Sequence, residues 1–290
     1  MKFIIEKRNY IILITIIIII LGLVFLNFDN KPDVKTFDFE NKKITIIVYD
    51  KIDKNKVHSK INKILNYYTN YDKKLNKELN TNMKSFLEYG KIVYYKTDGY
   101  VDITSGDLLD NLKNNKEYNF VSNINNIIVD KNNLKTKINF NIENVISNYV
   151  VSDIVDYFRD QKIEKYIINE NGNIAAGSKY DTSKYTISIN DSSNKILQVV
   201  YLEKESLVTL KKSNKVESYN INPKTSKKED LYDFVSVISK DNLTANMVAS
   251  TLYFLNIEDG KKFAEKYNCA ALWYTDGNII TTDNFSKYTK

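Results

Sequence analysis

The amino-acid sequence predicts an α+β fold preceded by one membrane-spanning helix. Three observations carry that expectation. Runs with a two-residue hydrophobic period and runs with a helical period recur along the chain, without the strict alternation of a parallel α/β protein. Aromatic residues are plentiful, 22 Tyr and 13 Phe in 290 residues, so the chain has apolar bulk for a sizeable core. Residues 10–28, YIILITIIIIILGLVFLNF, carry no charge over a length that crosses a bilayer as a helix.

Lys2, Lys7 and Arg8 precede the apolar run, while Asp29 and Asp33 follow it among two lysines. The positive-inside rule then makes 1–9 a cytoplasmic N-terminus and 10–28 a single-pass anchor in the cell membrane. Residues 29–35 read as a short linker and 36–290 as one extracytoplasmic domain, since no Pro/Gly/Ser stretch divides them. A cleaved signal peptide is the rival. Its apolar core is shorter, and LVFLNFDNK lacks a small-x-small cleavage pattern, so an uncleaved anchor is expected.

KKITIIVYD (42–50) alternates and is rich in Ile and Val, which predicts a strand. Val57, Ile61, Ile64, Leu65 and Tyr68 mark a helix within 55–79, and 85–96 reads as a second. Two short strands around an Asn-rich turn are expected in 125–142. Tyr149, Val150, Ile154 and Phe158 form the stripe of a helix over 146–161. Residues 165–177 read as strand, turn and strand, and 184–190 and 195–210 add further strands. A strand near 231–238, helices near 244–255 and 258–267, and a hairpin over 269–280 complete the chain. There are only 8 Gly and 2 Pro, where average usage gives roughly 20 and about 15. Asn and Lys are therefore expected to make the turns.

Several functions lose support here. The net charge is +6, but the basic residues are scattered among acids, so no nucleic-acid stripe forms and no nucleic-acid partner is expected. Cys269 is the only cysteine, which leaves no internal disulfide and no cysteine-based zinc site. The only histidine, His58, sits in a Lys-rich segment and reads as exposed, so Ser-His-Asp and Cys-His chemistry lack a base.

Four segments with chemical potential fall in order. They are GYVDITSGDLL (99–109); NIENVISNYVVSDIVDYF (141–158) with NENGNIAAG (169–177); LVTL (207–210) with YNINPKTS (219–226); and TANMVASTLYFLN (244–256). Each has a plain alternative. Asp102 serves equally as a turn cap, Thr104 as a helix cap and NPKT as a surface turn. Asn246 and Ser250 lie one helical turn apart, a spacing that can grip a cation, but an amide and a hydroxyl are weak ligands. A helical wheel sets both opposite an apolar face of Met247, Val248, Thr251, Leu252 and Leu255, as a solvated strip.

In this order the segments resemble the ApbE family of flavin transferases (FAD:protein FMN transferases). The resemblance covers nearly all of residues 36–285 and implies an ApbE-type, T-fold-like mixed sheet with flanking helices. It also implies Mg2+ and FAD as cofactors, and transfer of FMN to a Thr or Ser hydroxyl of a partner membrane or surface protein. The first motif persists as Gly99, Val101, Asp102, Thr104, Gly106 and Leu108. In the second, Tyr149 and the apolar positions persist, Glu143 and Asn144 replace glycines, and Ser147 replaces a lysine. The turn that follows keeps Gly172 but has Asn173 for aspartate. In the third, Thr209 persists, a Ser-Gly pair is lost at Leu210 and Lys211, Tyr219 replaces the histidine and Asn222 an aspartate. In the fourth, Asn246 and Ser250 stand where relatives hold Mg2+ with Asp and Thr.

By that resemblance Asp102, Thr104, Gly106, Tyr149, Gly172 and Thr209 would bind cofactor. Tyr219 would take the catalytic histidine's place, and Asn246 and Ser250 that of the metal ligands. The substitutions remove charge, so the expectation is an extracytoplasmic family member with transfer activity impaired or lost. It would use Mg2+ and FAD if active, and no cofactor if not. The alternative is a non-catalytic binding or scaffold ectodomain with the same fold.

Overall fold

The computed structural model describes residues 31–289 except 41, 70, 72–74, 76, 77, 136, 180, 182 and 192. The expected cytoplasmic N-terminus and the anchor at 10–28 lie outside the described residues. Among the described residues, no helix is long and apolar enough to cross a membrane.

Eight strands form the central sheet, in the order β1-β2-β5-β6-β9-β12-β13-β14. They are β1 (Asp33–Phe39), β2 (Lys42–Val48), β5 (Tyr166–Glu170), β6 (Asn173–Ala176), β9 (Ser206–Lys211), β12 (Phe234–Ser239), β13 (Ala270–Thr275) and β14 (Asn278–Thr281). Every neighbouring pair is antiparallel, so the expectation of a mixed sheet is corrected. The physical reason is local: three of the pairs are tight hairpins, and the long excursions between other neighbours return in the opposite sense. β1 begins inside the stretch read as a linker.

Alternation along the strands sorts two cores. On β12, Phe234 and Ile238 face one side with Leu207 of β9, while Val235 and Val237 face the other with Val208. Both faces are covered, so all six β12 residues are buried. On the first side lies the antiparallel hairpin β7 (Tyr185–Asn190) and β8 (Ile196–Leu202), through Tyr185, Ile189, Val200 and Leu202. The other side is covered by helices α1 (Lys54–Tyr68), α2 (Thr81–Lys96), α4 (Glu143–Asp160), α5 (Asn242–Leu252) and α6 (Ile257–Lys266). A short α3 (Gly106–Lys113) and small ladders β3 (Val129–Asp130) with β4 (Asn133–Leu134), and β10 (Ile221–Asn222) with β11 (Lys227–Lys228), complete the fold.

Asn and Asp do much of the local work. Asp53, Asn80, Asp241 and Asn256 cap α1, α2, α5 and α6 by accepting from a backbone N–H three residues on. Asn115, Lys162 and Asn268 follow helices α3, α4 and α6 with φ of 53–57°, in the left-handed region usually left to glycine. The expected use of Asn and Lys in turns is thus observed. α1 is shorter than the 55–79 expected, ending at Tyr68. His58, expected to be exposed, is instead half-buried and lies 2.5 Å from Asp33 Oδ2 at the start of β1.

Candidate functional site

Helices α4 and α5 pack side by side against the sheet, and their contact organises the site. α5 is buried nearly all round, against β9 and β12 on one side and α4 on another. Asn246 and Ser250, each 3% exposed, are therefore not a solvated strip. The wheel saw one apolar face, but a helix wedged between sheet and helix buries its polar side as well.

Buried polar side chains must find partners, and here they find each other. Asn144 Nδ2 donates to Ser250 Oγ at 3.0 Å, joining α4 to α5. Asn242 Nδ2 donates to the backbone and side-chain oxygens of Asn148, both at 3.0 Å, making a second link. Ser218 Oγ donates to Asn141 Oδ1 at 2.5 Å and accepts from the Asn144 backbone N–H at 3.3 Å. Asn141 Nδ2 donates to Ser105 Oγ and to the Ser218 carbonyl, each at 3.1 Å. Every member of this network is neutral.

The network floors a narrow cleft lined by Asp102, Ser105, Asn141, Asn144, Ser218 and Ser250, with Tyr100, Phe254 and Tyr219 among its walls. Asp102 is the one carboxylate among the lining residues. Its Oδ1 accepts from the Thr104 N–H and hydroxyl, both at 2.7 Å, whereas Oδ2 is buried without a hydrogen bond. Burial pushes its carboxyl above the ordinary value, and the Ser122 and Thr104 hydroxyls pull it partly back. Gly106 stands behind Asp102. A Cβ there would lie 2.5 Å from the Asn139 carbonyl oxygen, so only glycine lets the segments meet.

A wider cleft opens on the other side of Asn144 and Tyr219, which line both. Lys42, Glu170, Gly172, Asn173, Asn190, Thr209 and Lys211 also line it. Lys42 Nζ donates to Ser147 Oγ at 3.0 Å and pairs with Glu170 Oε1 at 2.9 Å. Lys42 thus brings an ammonium from β2 beside Ser147. Glu143 is exposed and lines neither cleft, so it brings no negative charge into them. Tyr219 donates its hydroxyl to the Lys211 carbonyl at 2.7 Å. Burial, then the charges of Glu217 and Asp230, push its pKa up to about 12, far from a base at neutral pH.

Of the residues expected in the site, the narrow cleft gathers Asp102, Tyr219 and Ser250, and the wide one Gly172, Thr209 and Tyr219. Thr104 and Gly106 support Asp102 from behind. Tyr149 is in neither lining. It packs among Tyr68, Phe86 and Tyr89 at ring separations of 5.2–5.9 Å, since five residues turn a helix about 140° beyond Asn144. Asn246 is also outside both linings, and its buried amide nitrogen has no hydrogen-bond partner. Sequence reading missed Lys42, Ser105 and Ser218. Their roles depend on contacts across as many as 105 residues, which no local spacing reveals.

This donor set does not fit Mg2+, which prefers carboxylate and phosphate oxygens. Ser250 Oγ already accepts from an amide, and position 246 offers a neutral amide. Among the described residues, no group of three or more His, Cys, Asp or Glu could hold a metal ion. The wide cleft is different. Its lysines, amides and hydroxyls suit a polar ligand with anionic groups.

The sequence profile of the ApbE family matches residues 41–273. No curated protein sequence matches. Among solved structures, Flavin Transferase ApbE from Vibrio cholerae is similar at 16% identity and a TM-score of 0.72, over 89% of this chain and 99% of that one. Pseudomonas stutzeri flavinyl transferase ApbE in its apo form gives 18% and 0.73, over 90% and 98%. The apbe protein of Thermotoga maritima gives 16% and 0.73, over 90% and 100%. At such identity these likenesses speak to the fold, and the profile match, spanning most of the sequence, speaks to descent: the chain belongs to the ApbE family.

Proposed function

We propose that this chain is a membrane-anchored, extracytoplasmic member of the FAD:protein FMN transferase family whose Mg2+-dependent transfer is impaired or lost. One observation carries the reading. The Asn144 amide donates to Ser250, so the hydroxyl expected to face a cation is engaged by an N–H group, next to a neutral Asn246. Tyr219 adds to it, because a phenol pushed up to about 12 is a poor acceptor for the proton of an attacking hydroxyl at neutral pH. What remains is a polar cleft that suits a flavin nucleotide. The alternative, a non-catalytic binding ectodomain, is favoured by the same engagement of Ser250 by Asn144.

The test uses the full chain in detergent micelles, with FAD, MgCl2 and a Thr-bearing acceptor domain, read by in-gel flavin fluorescence. Transfer at least about a hundredfold slower than by an active family member run in parallel is expected, the size of a lost general base. Transfer at a comparable rate overturns the reading. Anchoring and orientation rest on the uncharged run at 10–28 and its flanking charges. A reporter enzyme active only outside the cytoplasm, fused to the C-terminus, should be active. An inactive, stably made fusion sinks the extracytoplasmic assignment.

A further inference from the structure

We propose that Lys42, with Lys211, holds the phosphate of a flavin nucleotide in the wide cleft without a divalent cation. The inference rests on the reading that this cleft takes a flavin nucleotide, and it specifies how.

Lys42 is held from behind. Its ammonium contacts Ser147 Oγ at 3.0 Å and Glu170 Oε1 at 2.9 Å. The Glu170 side chain is only 2% exposed and its other oxygen accepts from Asn173 Nδ2 at 3.1 Å, so the carboxylate is itself fixed. An ammonium has three N–H donors. One is donated to Ser147 Oγ, while Glu170 meets the ammonium as an ion pair without a hydrogen bond to Oε1, which leaves donors for the cleft that Lys42 lines, where its side chain is 30% exposed. A lysine so placed has already lost most of its rotamer freedom, so less is lost when it binds an anion.

Charge balance points the same way. Lys42 and Lys211 face one cleft against Glu170 alone, a net positive charge. A phosphate monoester carries about −1.5 to −2 at neutral pH. The narrow cleft offers no cation to share the work, because its hydroxyls and amides are engaged with one another. Asn190 Oδ1, buried without a hydrogen-bond partner, also lines the wide cleft and supplies an acceptor for a ligand N–H.

The experiment titrates the full chain in detergent micelles with FMN, FAD and riboflavin, followed by flavin fluorescence, in EDTA or in MgCl2. FMN affinity is expected to agree within about twofold between the two conditions, and Lys42→Met to weaken FMN by about tenfold or more, as loss of a charge-assisted hydrogen bond does. Riboflavin, which has no phosphate, should weaken less than about twofold in the same variant. Lys42→Met with Lys211→Met should weaken FMN further, with the circular dichroism spectrum unchanged. Tightening of FMN by Mg2+ of about tenfold, or equal losses of FMN and riboflavin in Lys42→Met, overturns the inference and leaves the flavin reading standing. Failure of the folded chain to bind any flavin removes both. Efficient FMN transfer to an acceptor would contradict impaired activity without touching this inference.

Discussion

The narrow and wide clefts share Asn144 and Tyr219 as a common wall, yet their chemistry differs. In the narrow cleft, Ser105, Asn141, Ser218, Asn144 and Ser250 satisfy one another through neutral bonds of 2.5–3.3 Å. In the wide cleft, Lys42 is held by a buried glutamate and Lys211 is exposed. The first region resembles a piece of protein interior, and the second a binding surface. The difference shows how a site can lose its charge without collapsing: amides and hydroxyls of similar size tie helix to helix and keep the wall in place. Substitutions should therefore cost stability on one side of Asn144 and ligand affinity on the other.

The largest effect is expected at Asn246. Asn246→Asp would bury a carboxylate without a counter-charge, costing about 3 kcal/mol, or roughly 6–12 °C in Tm. Added MgCl2 should not restore it, because Ser250 is engaged by Asn144, and the change alone should not restore transfer. A Mg2+-dependent rise of Tm in this variant would show that the α5 face carrying residues 246 and 250 still accepts a metal, and would weaken the contrast. Next is Asn141→Ala, which removes a bond to Ser105 and two with Ser218. It should cost about 2 kcal/mol, whereas Lys211→Ala in the wide cleft should stay within about 0.5 kcal/mol. Equal losses in denaturant titrations would mean that both walls are structural.

Much of this architecture is legible in the sequence, because hydrophobic period and turn residues are local. The strand at 42–50, the hairpin at 269–280 and the helices at 244–255 and 258–267 all appear, with ends shifted by a few residues. Segment order pointed to the family through positions such as Asp102, Gly106 and Thr209. The direction of β2 to β5 pairing was not legible, since it depends on contacts made after a long excursion. Nor was Lys42, whose meeting with Ser147 requires the register of β2 against α4. Tyr149 misled because one residue served both a motif position and a core stripe, and the aromatic cluster claimed it. Asn246 and Ser250 were read as solvated by the wheel alone, because a wheel shows which side is apolar but not how many sides are covered.

The pH dependence of stability probes the narrow cleft through Asp102. Burial raises the Asp102 carboxyl above its unfolded value of about 3.9. A group raised in the folded state contributes stability that is fully present below the unfolded pKa and is lost as pH rises through the folded one. Glu40 and Asp153, also raised by burial, act in the same direction. Stability should thus fall as pH rises from about 4 through the raised values. Asp102→Asn should flatten part of that fall and raise Tm at pH 7 relative to pH 4. An unchanged slope would show that Asp102 is compensated in solution.

A modest effect is expected at the shared wall. Tyr219→Phe removes one hydrogen bond, from the hydroxyl to the Lys211 carbonyl, and keeps the ring against Tyr253 at 5.9 Å. The loss should be about 1 kcal/mol. With the phenol pushed up to about 12, the wild-type residue stays protonated across neutral pH. Flavin binding should then have the same pH profile between about pH 6 and 9 in wild type and variant. A difference confined to that range would mean that Tyr219 exchanges a proton with a bound ligand. The border between the clefts would then be a reacting position, and the division between a structural wall and a binding wall would move to the other side of Tyr219.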